Sequence, residues 1–267
     1  MNAALCMESL LFQVIIPFIL SALVVVLVTV IAEKFGTKVG GIFGTLPSTI
    51  VIALLFIAVN KGNQFASDAA AVVPAELGIN VVFLLVFALL VHRSVPIAFL
   101  TTFAVWGFLS SLLVIFNMDS ILVSILIYLI AVVGAFFVLE FWKNRPSSGM
   151  VKVHYTAKKI AFRGILAGIF IALAVSLSSV GSIISGIFSV FPAILSSTMI
   201  ITVRAHGPDF SAGMAKSMLL GLSSVVTYAT LVHFLYPVYG IIVGTIVAYI
   251  CSFGVTLLIF TFRRRIS

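Results

Sequence analysis

Along this chain the apolar residues run in blocks of about 20, and the polar positions gather in short gaps between the blocks. A 3.6-residue period would mark a helix with one wet face, and strict alternation a half-buried strand. An unbroken block of this length instead crosses a hydrocarbon core of about 30 Å as a helix. The blocks predict nine membrane-spanning helices, near 11–32, 40–59, 72–91, 96–116, 120–141, 160–179, 183–203, 213–235 and 238–260. The third is the least regular, because its apolar part from Val81 to Val91 is short. It spans only by reaching back past Asn80, Glu76 and Pro74. The block from Leu10 to Ala32 is too long for the apolar region of a signal peptide and has no basic stretch before it. It is predicted to stay as the first span.

A shift of 145 residues lays the second part of the chain on the first. Gly41, Ile42, Phe43 and Pro47 fall on Gly186, Ile187, Phe188 and Pro192, and without a gap Gly62 and Phe65 fall on Gly207 and Phe210. Two apolar segments share Leu and Ile by chance. Sharing Gly and Pro in register is harder, so the match reads as an internal duplication. Spans one to four then correspond to six to nine, and the fifth has no counterpart. One odd helix turns the second unit over in the membrane. The predicted fold class is therefore an all-α integral membrane protein with two inverted four-helix repeats, residues 1–117 and 158–267. A linking helix and basic cytoplasmic loop, 118–157, join them.

Composition supports the class. Of 267 residues, 63% are hydrophobic and 8% charged, and mean hydropathy is +1.34, far from the values of a soluble domain. A net charge of +8 would suggest nucleic acid in a soluble protein. Here the positive charges sort by loop. Lys34, Lys38, Arg93, Lys143, Arg145, Lys152, Lys158, Lys159, Arg163, Arg204, Lys216 and Arg263 to Arg265 fall on one side, and Lys61 alone on the other. The positive-inside rule then puts the N-terminus outside and the C-terminus in the cytoplasm. Trp142, Tyr155, Tyr236 and Tyr239 fit an aromatic belt. Cys6 and Cys251 form no CxxC or Cys/His cluster, so neither a disulfide framework nor a zinc site is expected.

Candidate chemistry gathers where the second and seventh spans meet proline. Pro47 and Pro192 lack an N–H and interrupt a helix, and the freed backbone groups need buried or water-lined partners. Thr45, Ser48 and Thr49 share one face; Ser189, Pro192 and Ser196 share another, with Ser197 and Thr198 beside it. Two broken helices meeting near the midplane would offer Thr45, Pro47, Ser48, Thr49, Pro192, Ser196, Ser197 and Thr198 to a substrate or small cation. The alternative is a tight crossing in which the same hydroxyls only bond between helices. Gly164/Gly168 and Gly240/Gly244 have the spacing of close helix contacts. The loops after these spans carry Lys61 in one copy and Arg204, His206 and Asp209 in the other. They read as gates or an anion-attracting pair, or more plainly as a glycine turn, with Phe65 or Phe210 covering a helix end and Asp209 as a cap. Glu76 is the one acidic residue expected at membrane depth and a candidate for gating or ion coupling. It could also start the third span at the outer headgroups. His233 reads more simply as an interfacial residue than as a proton relay. No HExxH, P-loop, paired carboxylates or nucleophile–base pair is present, so no enzyme, cofactor or metal is expected.

The run Gly186-Ile-Phe-Ser-Val-Phe-Pro-Ala193, followed by Ser196 to Thr198 and by His206-Gly207, resembles an uncharacterised group of prokaryotic membrane proteins that includes small GlpM-like proteins. The likeness is clearest over about 185–220. The first unit departs from it, with Leu46 for Phe, Ser48 for Ala and Lys61 for His. The small members look like one four-helix unit, which would make this chain a fused pair in a prokaryotic inner membrane. The expected function is a multi-pass, transporter-like protein moving a small solute or ion between the two proline-broken helices. Its partners would be the lipid bilayer and that solute, with no nucleic acid and with homo-oligomers left open. The alternatives are a structural or regulatory membrane partner, and an intramembrane lipid-modifying enzyme using Glu76 or His233.

Overall fold

The computed structural model describes residues 11–34, 46–139 and 156–266, and every element among them is a helix. A π-helical turn, Leu11–Ile15, leads into α1 (Ile16–Lys34). Next come α2 (Ser48–Lys61), α3 (Asn63–Leu90), α4 (Val95–Ile115) and α5 (Ile121–Phe137). After the segment outside the described residues come α6 (Ala157–Ser176) with a 3-10 turn at Leu177–Ser179, the short α7 (Ser182–Ser189), and α8 (Ala193–Ile266).

Proline and glycine set the breaks. Pro47 is the N-cap of α2, and α8 starts directly after Pro192. Proline has no N–H to give an upstream helix but its fixed φ suits the entry to the next one. Gly62 separates α2 from α3 with φ 92° and ψ 165°, a conformation that costs glycine no Cβ clash. Inside α8, Gly207 (φ 85°, ψ 178°) and Gly240 (φ 76°, ψ 179°) do the same, so α8 is three stretches: 193–206, 208–239 and 241–266.

The centre of the molecule is α3. It is buried along almost its whole length, from Ala66 through Ala88, so it reads as apolar on all sides rather than amphipathic. It runs antiparallel to the middle stretch of α8. The Ser67 hydroxyl donates to the His233 carbonyl at 2.6 Å, and His233 Nδ1 donates to the Ser67 carbonyl at 2.9 Å. On the outer faces of α1, α4, α5 and the last stretch of α8, Leu23, Leu100, Leu122 and Ile242 are exposed, as lipid-facing side chains are.

Small residues set the close approaches. A Cβ on Gly164 would sit 2.8 Å from Val26 Cγ2, and one on Gly168 would sit 2.7 Å from the Phe18 ring, so α6 packs tightly on α1. The Gly186 backbone lies against the Ala69 carbonyl of α3. Gly240 departs from expectation: it is a positive-φ joint where a Cβ would meet only Asn63 Nδ2 of α3, at 3.9 Å, whereas Gly244, against Tyr236, has the tight contact.

Six stretches are long and apolar enough to cross a membrane: Leu11–Ile31, Asn63–Leu90, Val95–Ile115, Ala157–Ser179, Ser182–Lys216 and Met218–Ile259. The expected nine are not all found at full length. Ser48–Lys61 and Ile121–Phe137 are apolar but shorter. Of the expected second span from residue 40, the described part is the helix Ser48–Lys61, entered at Pro47, and 40–45 lie outside the described residues. The expected seventh span is cut at Val190–Pro192 into α7 and the start of α8. The third span is longer than expected, because α3 starts at Asn63 and carries Pro74 within the helix.

Candidate functional site

The two proline breaks bound one cavity of about 140 Å³. Its wall takes Leu46 to Ile50 from the entry to α2, Val190, Phe191, Ile194 and Leu195 from the entry to α8, and Leu77 and Asn80 from α3. The middle stretch of α8 adds Met218, Gly221, Leu222 and Val225, while α1 gives Thr29 and α6 gives Arg163. Ten wall positions fall in five pairs related by the 145-residue shift: Leu46 with Phe191, Thr49 with Ile194, Ile50 with Leu195, Leu77 with Leu222 and Asn80 with Val225. In the two pairs with a polar member, that member, Thr49 or Asn80, lies in the first half of the chain.

Both helix entries put first-turn residues on the cavity wall. Ser48 N bonds the Leu46 carbonyl and Val51 N the Pro47 carbonyl; Ala193 N bonds the Phe191 carbonyl and Ser196 N the Pro192 carbonyl. Between them, the amides of Thr49, Ile50, Ile194 and Leu195 belong to first turns, whose N–H groups have no acceptor in their own helix. Helix N-termini also carry partial positive charge. Arg163 adds a full one, steadied by its Nη1 donating to Thr198 Oγ1 at 2.7 Å. Among the described residues no Asp or Glu lines the cavity. Asn80 is 1% exposed; its Nδ2 donates to the Val190 carbonyl at 2.8 Å, and its Oδ1 has no hydrogen-bond partner among the described residues.

The residues singled out in the sequence divide three ways. Pro47, Ser48 and Thr49 line the cavity, while Thr45 lies outside the described residues. Ser196, Ser197 and Thr198 do not line it. Their hydroxyls donate to carbonyls three or four residues back in α8, those of Ala193, Ile194 and Ile194. Pro192 sits in the break without forming part of the wall. Arg204, His206 and Asp209 are exposed around the Gly207 joint, away from the cavity. The His206 and Phe210 rings lie 4.6 Å apart, and Asp209 lies 3.6 Å from His92.

Glu76 is fully buried but faces the other side of α3. Trp106 Nε1 donates to its Oε1 at 2.6 Å, and Ser110 Oγ lies 3.1 and 3.0 Å from its two oxygens. It therefore does not start α3 at the headgroups. Phe191 stands between this cluster and the cavity, stacked on Phe170 with centroids 3.5 Å apart and edge-on to Trp106 at 4.8 Å. Sequence reasoning gave no role to Arg163, counted only as a loop charge, or to Asn80, noted only beside Glu76. The available signal was the 145-residue pairing, which sets Asn80 against an apolar Val225.

Apolar helices around a small, partly polar interior cavity define an all-helical protein of membrane type. Residues 14–121 match the model of a family described as a protein of unknown function, DUF3147. The match lies in the first part of the chain, whereas the resemblance to GlpM-like proteins was drawn over 185–220, and nothing links the chain to those proteins. No curated protein and no solved structure matches the chain.

Proposed function

We propose that the protein is a multi-pass transporter of a small solute, built from two inverted repeats with its binding site on their pseudo-twofold axis. The observation that carries the reading is the paired wall of the cavity. Residues related by the 145-residue shift line the same cavity, as expected near an axis relating the two units. The helix boundaries agree. Helices begin at Ser48 and Ala193, and positive-φ glycines follow at Gly62 and Gly207. The matched family segment ends close to the end of the first proposed repeat. Broken helices whose termini meet at the repeat interface are the usual way such proteins build a polar site at membrane depth. On this reading Ser196 and Ser197 leave the substrate contacts; Asn80 and Arg163 join Ser48 and Thr49. The N-terminus lies outside and the C-terminus in the cytoplasm, following the charge sorting.

The test uses a background with Cys6 and Cys251 replaced by Ala. Thr49→Cys and Ile194→Cys are made singly and treated with a membrane-impermeant thiol reagent from each side. A solute pathway predicts that both are labelled from the aqueous phase, because both line the same space. Protection of both in protein that elutes as a folded species would instead assign the polar seam to helix packing, the role of a structural membrane partner.

A further inference from the structure

Resting on the cavity as the solute site, we infer that the Phe191 ring is its gate, shutting it toward the end of the molecule where α6 turns into α7.

Two spaces lie one beyond the other along α6. The large cavity touches α6 at Arg163. A small void of about 10 Å³ touches it at Ala167, Phe170 and Ile171, one to two turns nearer Ser176. Thr49, Phe191 and Ile194 line both spaces, whereas Phe188 and Ser189 of α7 line the void and not the cavity. The void is about large enough for one water. A solute leaving the cavity in this direction must therefore displace one of the three shared side chains. Because α6 starts at the basic pair Lys158 and Lys159, the charge sorting puts the void on the outer side of the cavity.

Of the three, Phe191 is the one free to move. Thr49 and Ile194 sit in the first turns of α2 and α8, where the helix fixes their backbone. Phe191 lies outside any helix, in the break at Val190–Pro192, and its amide reaches back to the Phe188 carbonyl at 3.3 Å. A residue between two helix ends can change φ and ψ without breaking a ladder of bonds, as hinge positions do.

The ring's contacts agree. Phe191 meets Trp106 edge-on with centroids 4.8 Å apart, an arrangement that aromatic pairs favour. It lies nearly face to face on Phe170 at 3.5 Å, which they do not. Turning off Phe170 gives up the weaker of these two contacts and removes the partition. While it stays, a plug of apolar side chains also keeps water from joining the two spaces, as hydrophobic constrictions do in pores. The 145-residue shift puts Leu46 at the matching place in the first unit, a side chain without a ring to stack.

The test follows a cysteine that lines the cavity and not the void. Ser48→Cys, in protein free of its native cysteines, is treated with a membrane-impermeant maleimide from either face of sealed membrane vesicles. In the parent it is expected to react from the face of the basic loops, and at least about tenfold more slowly from the opposite face. Phe191→Ala should raise the opposite-face rate about tenfold, the scale of one lost aromatic contact. Phe191→Leu, which copies Leu46, should raise it by less, and it carries the test alone where Phe191→Ala does not fold. Phe188→Ala removes an equal ring from the void without touching the cavity wall, and should leave the rate within about twofold. If the Phe191 variants fold and leave the opposite-face rate unchanged, or if Phe188→Ala raises it equally, the gate is overturned and the solute cavity stands. Equal reaction from both faces in the parent overturns it likewise. If Ser48→Cys reacts from neither face, in the parent or in the Phe191 variants, the cavity reading itself falls, and the gate with it.

Discussion

Glu76 and Asn80 sit on successive turns of α3 and are almost equally hidden, at 0% and 1% exposure, yet their surroundings differ. Glu76 faces α4, where the indole of Trp106 and the hydroxyl of Ser110 meet its oxygens. Asn80 faces the cavity, holds a broken strand of chain through the Val190 carbonyl, and keeps an oxygen with no partner among the described residues. Depth in the membrane is therefore a poor guide to function by itself. A buried polar group that is fully matched ties helices together, whereas an unmatched one beside empty space marks where something else binds.

The comparison can be broken most easily at Glu76. Glu76→Ala leaves the Trp106 and Ser110 donors stranded and removes the atoms between them, and should destabilise the protein by about 3 kcal/mol or more. Thermal unfolding in detergent reads this directly. A midpoint equal to that of the parent would show that the cluster is dispensable to packing and would reopen a functional role for the carboxylate. Next in size is Ser67→Ala, which removes the hydroxyl that donates to the His233 carbonyl. It should cost about 1 kcal/mol in the same measurement. A larger loss would mean that the seam between α3 and α8 is more cooperative than its separate bonds. The smallest effect on stability is expected at Asn80→Val, which copies the residue opposite it. The change gives up one bond to Val190 and removes one orphan oxygen, so the net should stay within about 1 kcal/mol. Its effect should fall instead on the labelling of Thr49→Cys. Asn80→Val destabilising as much as Glu76→Ala would erase the distinction between the two turns.

The frame of the molecule was legible because it rests on residues whose backbone behaviour is hard to replace. Pro47, Pro192, Gly62 and Gly207 stand in register in the sequence, and each sits at a helix boundary or joint in the structure. Hydroxyl positions were less informative. Ser196 and Ser197 share a helix with a proline break, but a serine inside a helix can bond a carbonyl one turn back, and these do. Arg163 and Asn80 could not be placed from spacing along the chain. They come from different helices and share only the wall of the cavity. Glu76 was flagged as a rare intramembrane carboxylate, but its partners lie 30 and 34 residues further on, beyond the reach of any helical period.

The glycine joints have a mechanical consequence. At Gly62 and Gly207 one helix ends and the next begins within a single residue. Such a joint stores no slack. If the entry of α2 tilts toward or away from the cavity, the displacement is either taken up in two torsion angles or passed whole to α3. The same holds at Gly207 for the first and middle stretches of α8. Each proline-tipped arm is thus a lever with its fulcrum at the far end, and the central pair of helices is the beam on which both levers bear.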